Sequence, residues 1–379
     1  MIYLDNAATT FPKPRCVYDE VLRCMKNYCG NPGRSSHKLS IESSEKIFEA
    51  RNVIAELFNA QAENVVFTYN TTYALNIAIK SNLEPDSHVL ISDIEHNSVI
   101  RPVFSEYTRG ICSYDFFSTE GNDEDIINDI LSKITPKTSM LICTQASNVC
   151  SKILPIKKIG ALCHNLNIYF IVDGAQSAGI YDIDLEKMQI DALCIPSHKA
   201  LYGPQGTGVV IFKNEKIGKS FIEGGTGINS FDMSMPDFLP EGYEAGTLST
   251  PTIVGLCEGV KWVKSTGLSV IRHHEENLYK RLCDLLSTNE KIICYKMSEN
   301  YGNTLLFNVI GLSSANVSYE LDKRGICTRS GFHCAPLAHK KLNTGDSGAV
   351  RVSIGAFNTQ KDIYALFDAL QEIIIDKKI

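Results

Sequence analysis

Ile168-Tyr169-Phe170-Ile171-Val172-Asp173-Gly174-Ala175-Gln176 opens as an unbroken apolar run and stops on a carboxylate followed by glycine. Apolar residues without polar alternation are expected of a strand covered on both faces, as in a parallel sheet between helices. Asp173 then falls at the carboxyl end of that strand, where open α/β sheets place their ligands. The pattern recurs along the chain. Short apolar runs at 65–68, 89–92, 140–144, 192–196 and 208–212 alternate with helical patterns near 72–81, 96–108, 124–133 and 155–165. Helical patterns at 14–29 and 40–59 precede them, the second with Ile47, Ile54, Leu57 and Phe58 on one apolar stripe. The expected fold class is α/β, with a mostly parallel sheet between helices.

From about residue 250 the pattern changes. Helical periodicity over 251–265 and 268–287 leads to strands near 304–309 and 349–354 and a last helix near 360–375. That reads as a smaller α+β domain, with the first residues packing beside it. The expected division is a large domain over 14–250 and a small one made of 1–13 and 251–379, and a chain of 379 residues is long enough for both. Hydrophobic residues make up 44% and charged residues 21%, and the net charge of −6 carries no basic block, so nucleic acid is not an expected partner. No apolar segment approaches a membrane span, and the N-terminal Met-Ile-Tyr-Leu-Asp-Asn lacks the pattern of a signal peptide. Thirteen cysteines in such a chain are expected to be reduced thiols of a cytoplasmic protein, without a metal site.

Lys199 lies in Ser197-His198-Lys199-Ala200-Leu201-Tyr202-Gly203-Pro204-Gln205-Gly206. An amine able to form a Schiff base and a carboxylate able to hold a pyridine nitrogen protonated are what pyridoxal phosphate requires, and Lys199 with Asp173 meets that need. Taken alone, the pair reads as a solvated loop lysine and a helix-capping aspartate. Other residues supply the remaining parts. Thr71 and Thr72 open a helix after the strand at 65–68, a position that by itself reads first as plain N-capping and that would also suit a phosphate. His96, in Glu95-His96-Asn97-Ser98, stands at another strand-to-helix turn, where an imidazole could stack on a flat ring and move protons near neutral pH, or cap the helix. Asn148 ends the next run, and its amide could reach a phenol oxygen or a carboxylate; Gln176 could reach the same phenol oxygen.

Cys334 stands in Arg329-Ser330-Gly331-Phe332-His333-Cys334-Ala335-Pro336, whose glycine and proline mark a loop. Arg329 and His333 are expected to favour its thiolate. Arg351, inside the apolar Ala349-Val350-Arg351-Val352-Ser353-Ile354, needs a partner: a bidentate substrate carboxylate, or a protein carboxylate in a structural ion pair. Gly203-Pro-Gln-Gly206-Thr-Gly208 has the wrong glycine order for a dinucleotide site, and Gly218-Lys219-Ser220 lacks the earlier glycine of a P-loop.

Assembled in this order, the residues resemble those of cysteine desulfurases and selenocysteine lyases, class V aminotransferase-like enzymes of pyridoxal fold type I. The resemblance runs over nearly the whole chain, through Tyr3-Leu-Asp-Asn-Ala-Ala-Thr-Thr10, Gly30-Asn-Pro-Gly33 with Arg34 and His37, Thr71-Thr72, Glu95-His96, Ser147-Asn148, Asp173-Gly-Ala-Gln176, His198-Lys199, Glu244-Ala-Gly-Thr247 and Arg329–Pro336. It implies Lys199 as Schiff-base lysine, His96 on the ring, Asp173 at the pyridine nitrogen, Gln176 at the phenol oxygen and Ser197, His198, Thr71 and Thr72 about the cofactor. It further implies Arg351, with Asn148 and Arg329, on the substrate carboxylate, Cys334 as sulfur acceptor, and a homodimer in which Thr247 reaches the neighbouring subunit's cofactor phosphate. L-cysteine is the implied substrate, with L-selenocysteine the alternative, and a sulfur-acceptor protein the implied partner. Three features depart from the family: Pro196 stands where a phosphate-binding serine is common, one residue is extra after Lys199, and the stretch from Gly224 to Glu244 is short.

Overall fold

The computed structural model describes residues 1–33, 35–214, 218–297 and 302–378, so Arg34 lies outside the described residues. The strands in chain order are β1 (Ile2–Tyr3), β2 (Val65–Thr68), β3 (Ser87–Ser92), β4 (Cys112–Phe117), β5 (Thr138–Thr144), β6 (Tyr169–Asp173), β7 (Ala192–Pro196), β8 (Gly208–Phe212), β9 (Ile292–Tyr295), β10 (Thr304–Val309), β11 (Ile326–Cys327), β12 (Arg329–Gly331) and β13 (Ala349–Ser353). Seven of them form one sheet in the order β2-β8-β7-β6-β5-β3-β4. Pairing is parallel from β4 to β7, and only β8 runs against its neighbours.

The apolar runs are buried on both faces, as their lack of alternation requires. Leu141, Cys143, Phe170, Val172, Leu193 and Ile195 pack beneath helices that include Ile54, Ile130, Ile159 and Val260. Met140, Ile142, Ile171, Ala192 and Cys194 face the opposite way, against Leu75 and Ala78 of helix Thr71–Asn82 and Val99 and Val103 of helix Asn97–Thr108. One strand escapes a reading by apolar runs. In β4, Ser113 and Asp115 interrupt the hydrophobic residues, because an edge strand keeps one row of side chains near water.

A second, antiparallel sheet, β12-β13-β10-β9, is covered by helices Leu268–Leu286 and Gln360–Asp376 through Leu278, Leu282, Leu305, Phe307, Leu366 and Leu370. The amino terminus joins this region: β1 lies parallel to β11, and Asp5 bridges Ser353. Six strands of the large sheet end on the same edge, and the loops leaving β2, β3, β5, β6 and β7 gather the site there. The amino-terminal segment and the β12–β13 pair close over them.

Candidate active site

A cavity of about 200 Å³ opens at this edge, and Thr71, Thr72, His96, Asn148, Asp173, Gln176, His198, Lys199, Arg329 and Arg351 all line it. Chain segments separated by nearly three hundred residues therefore meet. The residues after Lys199 form a turn in which the Tyr202 amide donates to the Lys199 carbonyl at 2.8 Å, with Tyr202 at φ 56°. Gly203 makes that turn possible: a Cβ there would lie 2.2 Å from Ser197 Oγ and 2.8 Å from Leu256 Cα.

Two expected cofactor contacts are not brought into the cavity. Ser197 Oγ is buried without a partner, on the side of the chain that faces Gly203. Thr247 lines a separate cavity with Phe67, Tyr69, Tyr73 and Glu244. Glu244 is fixed there by Arg51 Nη1 at 2.9 Å and by the Phe67 amide at 2.6 Å.

Burial sets the electrostatics. Lys199 is half-buried, and loss of hydration lowers its pKa to about 8, although Asp173 pulls the other way. Asp173 is raised above the usual carboxylate range by burial, and its Oδ1 also accepts from the Ala175 amide at 2.9 Å, which caps the turn after β6. His96 does two things at once. Its Nδ1 accepts from the Ser98 amide at 3.0 Å, capping helix Asn97–Thr108, while the ring faces the cavity. That bond leaves the proton on Nε2. Burial and then Lys199 lower the imidazole pKa to about 4, so the expected near-neutral titration is corrected: His96 is a neutral ring in this setting. Ser98 Oγ links it to Thr72 Oγ1 at 2.7 Å.

Neither Thr71 nor Thr72 caps its helix. Asn70 does, through Oδ1 to the Tyr73 amide at 3.0 Å. The threonine amides at this helix start take part in no hydrogen bond among the described residues, and Thr71 Oγ1 is buried without a partner. His198 Nδ1 is likewise buried and unpartnered.

Arg351 is 1% exposed and is paired: Nη2 donates to Asp5 Oδ1 at 2.7 Å and Nη1 to the Asn148 carbonyl at 3.3 Å. The protein carboxylate foreseen as a rival partner exists, yet Nε is left buried without one. Gln176 Nε2 donates to the Ala7 carbonyl at 3.0 Å, and Asn148 Nδ2 to the His333 carbonyl at 2.9 Å.

That last bond holds the Cys334 loop. His333 and Cys334 have φ of 50° and 55°, a left-handed pair that non-glycine residues adopt only when their surroundings impose it. The Asn97 amide adds a bond to the Cys334 carbonyl at 2.8 Å. The thiol is exposed and Cys334 lines an adjoining cavity that shares Thr72, His96 and Ser98 with the first. His333 does not supply the expected positive charge. It is buried against His339, whose Nε2 lies 3.0 Å from His333 Nδ1, and burial together with Arg351 lowers its pKa to about 3.

Three residues of the site escaped sequence reasoning. Asp5 lay in a recognised motif, but its pairing with Arg351 depends on the docking of the amino terminus. His339 carries no local signal. Glu95 was visible beside His96, though its burial was not: Oε1 accepts from Ser92 Oγ and from the Thr144 amide at 2.6 Å, and Oε2 is unpartnered. Burial, with Asp173 nearby, raises its pKa from 4.5 to about 8. Across that window the folded chain holds a proton that the unfolded chain has lost, so stability falls as pH rises from about 4.5 to about 8. Glu95→Gln should therefore match the wild type near pH 4.5 and gain on the order of a few kcal/mol by pH 8. Denaturant unfolding of the cofactor-free protein at pH 5 and pH 8 measures it, and an equal gain at both would show the carboxyl already ionised at pH 5.

The arrangement is that of a fold type I pyridoxal enzyme, a lysine facing a carboxylate across the carboxyl edge of a mostly parallel sheet. The chain belongs to the class-V aminotransferase family, whose model it matches over residues 2–366. Within that family it groups with the cysteine desulfurases. A probable cysteine desulfurase of Methanothermobacter thermautotrophicus is 32% identical over 98% of this chain and 94% of its own length. The cysteine desulfurase IscS of Clostridium botulinum is 30% identical over 100% of this chain and 95% of its own. The apo structure of a cysteine desulfurase from Thermococcus onnurineus superposes with a TM-score of 0.90 at 29% identity, covering 99% of this chain and 95% of that one. The family is generally dependent on pyridoxal phosphate.

Proposed function

We propose that the protein is a cysteine desulfurase that binds pyridoxal phosphate at Lys199, converts L-cysteine to L-alanine and takes the sulfur onto Cys334 as a persulfide. The observation that carries this reading is the convergence of Lys199, Asp173, His96 and Arg351 on one cavity, with the Cys334 loop pinned across the His96 wall. The donor set fits the cofactor. Open amides and an unpartnered hydroxyl at the start of helix Thr71–Asn82, with the free His198 nitrogen, suit a phosphate, and a buried aspartate suits a protonated ring nitrogen.

When bound, pyridoxal phosphate supplies an electron sink for the pair released at the substrate α-carbon. Lys199 then serves as the anchoring amine and afterwards as the carrier of the α proton; its lowered pKa leaves a useful fraction of free amine near neutrality. Asp173 keeps the ring nitrogen protonated, because a buried carboxylate favours a charged neighbour over standing alone. Arg351, preset by Asp5 and with Nε unused, receives the substrate carboxylate with Asn148 and Arg329 at its sides. His96 offers a neutral face and an Nε2 proton. Cys334 attacks the substrate sulfur as thiolate: the S–S bond forms as the C–S bond breaks, and the C–S electron pair stays with the β-carbon, which gains a proton to become the methyl group of alanine.

Incubation of the cofactor-loaded protein with L-cysteine should release alanine and leave sulfane sulfur on Cys334, read by amino-acid analysis and mass spectrometry. Alanine without enzyme-bound sulfur would refute the desulfurase reading, and faster turnover of L-selenocysteine would favour the lyase alternative. A homodimer is part of the proposal, with Thr247 directed to the neighbouring subunit's phosphate. It is supported by the exclusion of Thr247 from its own chain's cavity and by exposed Tyr69, Phe231 and Met233. Light scattering on active protein should give the mass of two chains; a single-chain mass would refute it. A cytoplasmic setting is proposed from thirteen cysteines that are all free, and no helix among the described residues is long and apolar enough to cross a membrane.

A further inference from the structure

The cavity of about 410 Å³ that holds Cys334 is lined by Thr72, Asn76, Lys80, His96, Asn97, Ser98, Arg101, Pro102 and Ser105. It contains two cations and no carboxylate. Arg101 is exposed and has no ion pair or hydrogen bond among the described residues. Lys80 lies 3.8 Å from Glu106 and 5.8 Å above the Phe221 ring, and Glu106 is held more closely by Arg109 at 3.1 Å. Lys80 and Arg101 project from the two helices that flank this cavity, Thr71–Asn82 and Asn97–Thr108. The division of the two chambers matters. Lys199, Asp173 and Arg351 line the first and not the second, whereas Cys334 lines the second and not the first. Arg351 thus serves the Lys199 side, and Lys80 and Arg101 share the walls of the second cavity with exposed Cys334.

We infer that this second chamber is an acceptor subsite for a small anionic thiol, a thiol bearing a carboxylate that Lys80 and Arg101 draw in and orient toward sulfur carried by Cys334. The inference rests on the persulfide reading above. The transfer needs no added oxidant or reductant. The acceptor thiolate attacks the outer sulfur of the Cys334 persulfide, a new S–S bond forms, the bond to Sγ breaks, and its electron pair leaves with Cys334 as thiolate. The product is the acceptor's own persulfide. A cleft with cations on its walls and no anion raises the local concentration of such a thiol and steers its approach, an effect that salt weakens.

The test uses holoenzyme charged once with L-cysteine and freed of excess substrate. Discharge of the Cys334 persulfide is followed by mass spectrometry with 3-mercaptopropionate, 2-mercaptoethanol or cysteamine, for the wild type and for Lys80→Gln/Arg101→Gln. The double variant should load sulfur normally, lose roughly tenfold of its discharge rate with 3-mercaptopropionate, and change little with the neutral thiol. High salt should remove most of the wild-type advantage of the anionic thiol. Equal rates for wild type and variant with 3-mercaptopropionate would overturn the subsite while leaving the desulfurase reading intact. Failure of Cys334 to load in the wild type would instead strike that reading. A second arm reads the chamber without any persulfide: in a background where Cys29, the other exposed thiol among the described residues, is replaced (Cys29→Ser), free Cys334 should react faster with an anionic than with a neutral aromatic disulfide, and the double variant should lose that preference. Retention of the preference by the variant would likewise overturn the subsite.

Discussion

Lys199→Ala is expected to lower turnover of L-cysteine by at least about 10³-fold and to abolish covalent capture of pyridoxal phosphate, because in the proposed mechanism one amine both anchors the cofactor and carries the α proton. The visible absorbance of the loaded protein should disappear on the substitution while the fold persists, since the site is a cavity and not part of a packed core. The amine also sets a pH dependence. Burial lowers its pKa from 10.5 to about 8, and the free amine is the reactive form. Capture of pyridoxal phosphate by cofactor-free protein should therefore quicken as pH rises and level off above about 8. Rates that kept climbing toward pH 10.5 would mean that Lys199 is hydrated, and full activity in Lys199→Ala would remove it from the mechanism altogether.

Cys334→Ala is expected to separate sulfur transfer from everything that precedes it. The side chain belongs to the outer chamber, so the variant should load pyridoxal phosphate and bind L-cysteine as the wild type does. Enzyme-bound sulfane sulfur should vanish and alanine release should fall by about 10²–10⁴-fold, the range for loss of a positioned catalytic group. L-selenocysteine, with its weaker carbon–selenium bond, should lose less. Persulfide on another cysteine, with L-cysteine turned over at the wild-type rate, would replace the desulfurase mechanism by that of a generic pyridoxal lyase. His339→Gln makes a useful companion, since His339 supports His333 without lining either chamber.

The layered α/β sheet could be read from the chain because each of its central strands is an apolar run buried on both faces. Asp173 and Lys199 were legible for a related reason: a strand that ends on a charged residue at the ligand-binding edge announces a site locally. The edge strand β4 and the reversed β8 carry no such signal. Alternating polarity in the first is shared with many loops, and direction in the second is decided by which neighbours it pairs with.

Sequence by itself determined six of the large sheet's seven strands and most of the residues that equip the cavity, since these follow from side-chain type at a given spacing. Tertiary structure alone decided how those residues behave. It placed Asp5 against Arg351, lowered Lys199 and His96 and raised Glu95, turned His333 from an expected cation into a neutral support, and set Cys334 in a chamber apart from Lys199. The physical reason is common to them. Charge and proton affinity depend on hydration and on neighbours brought from distant parts of the chain, and neither exists until the chain has folded.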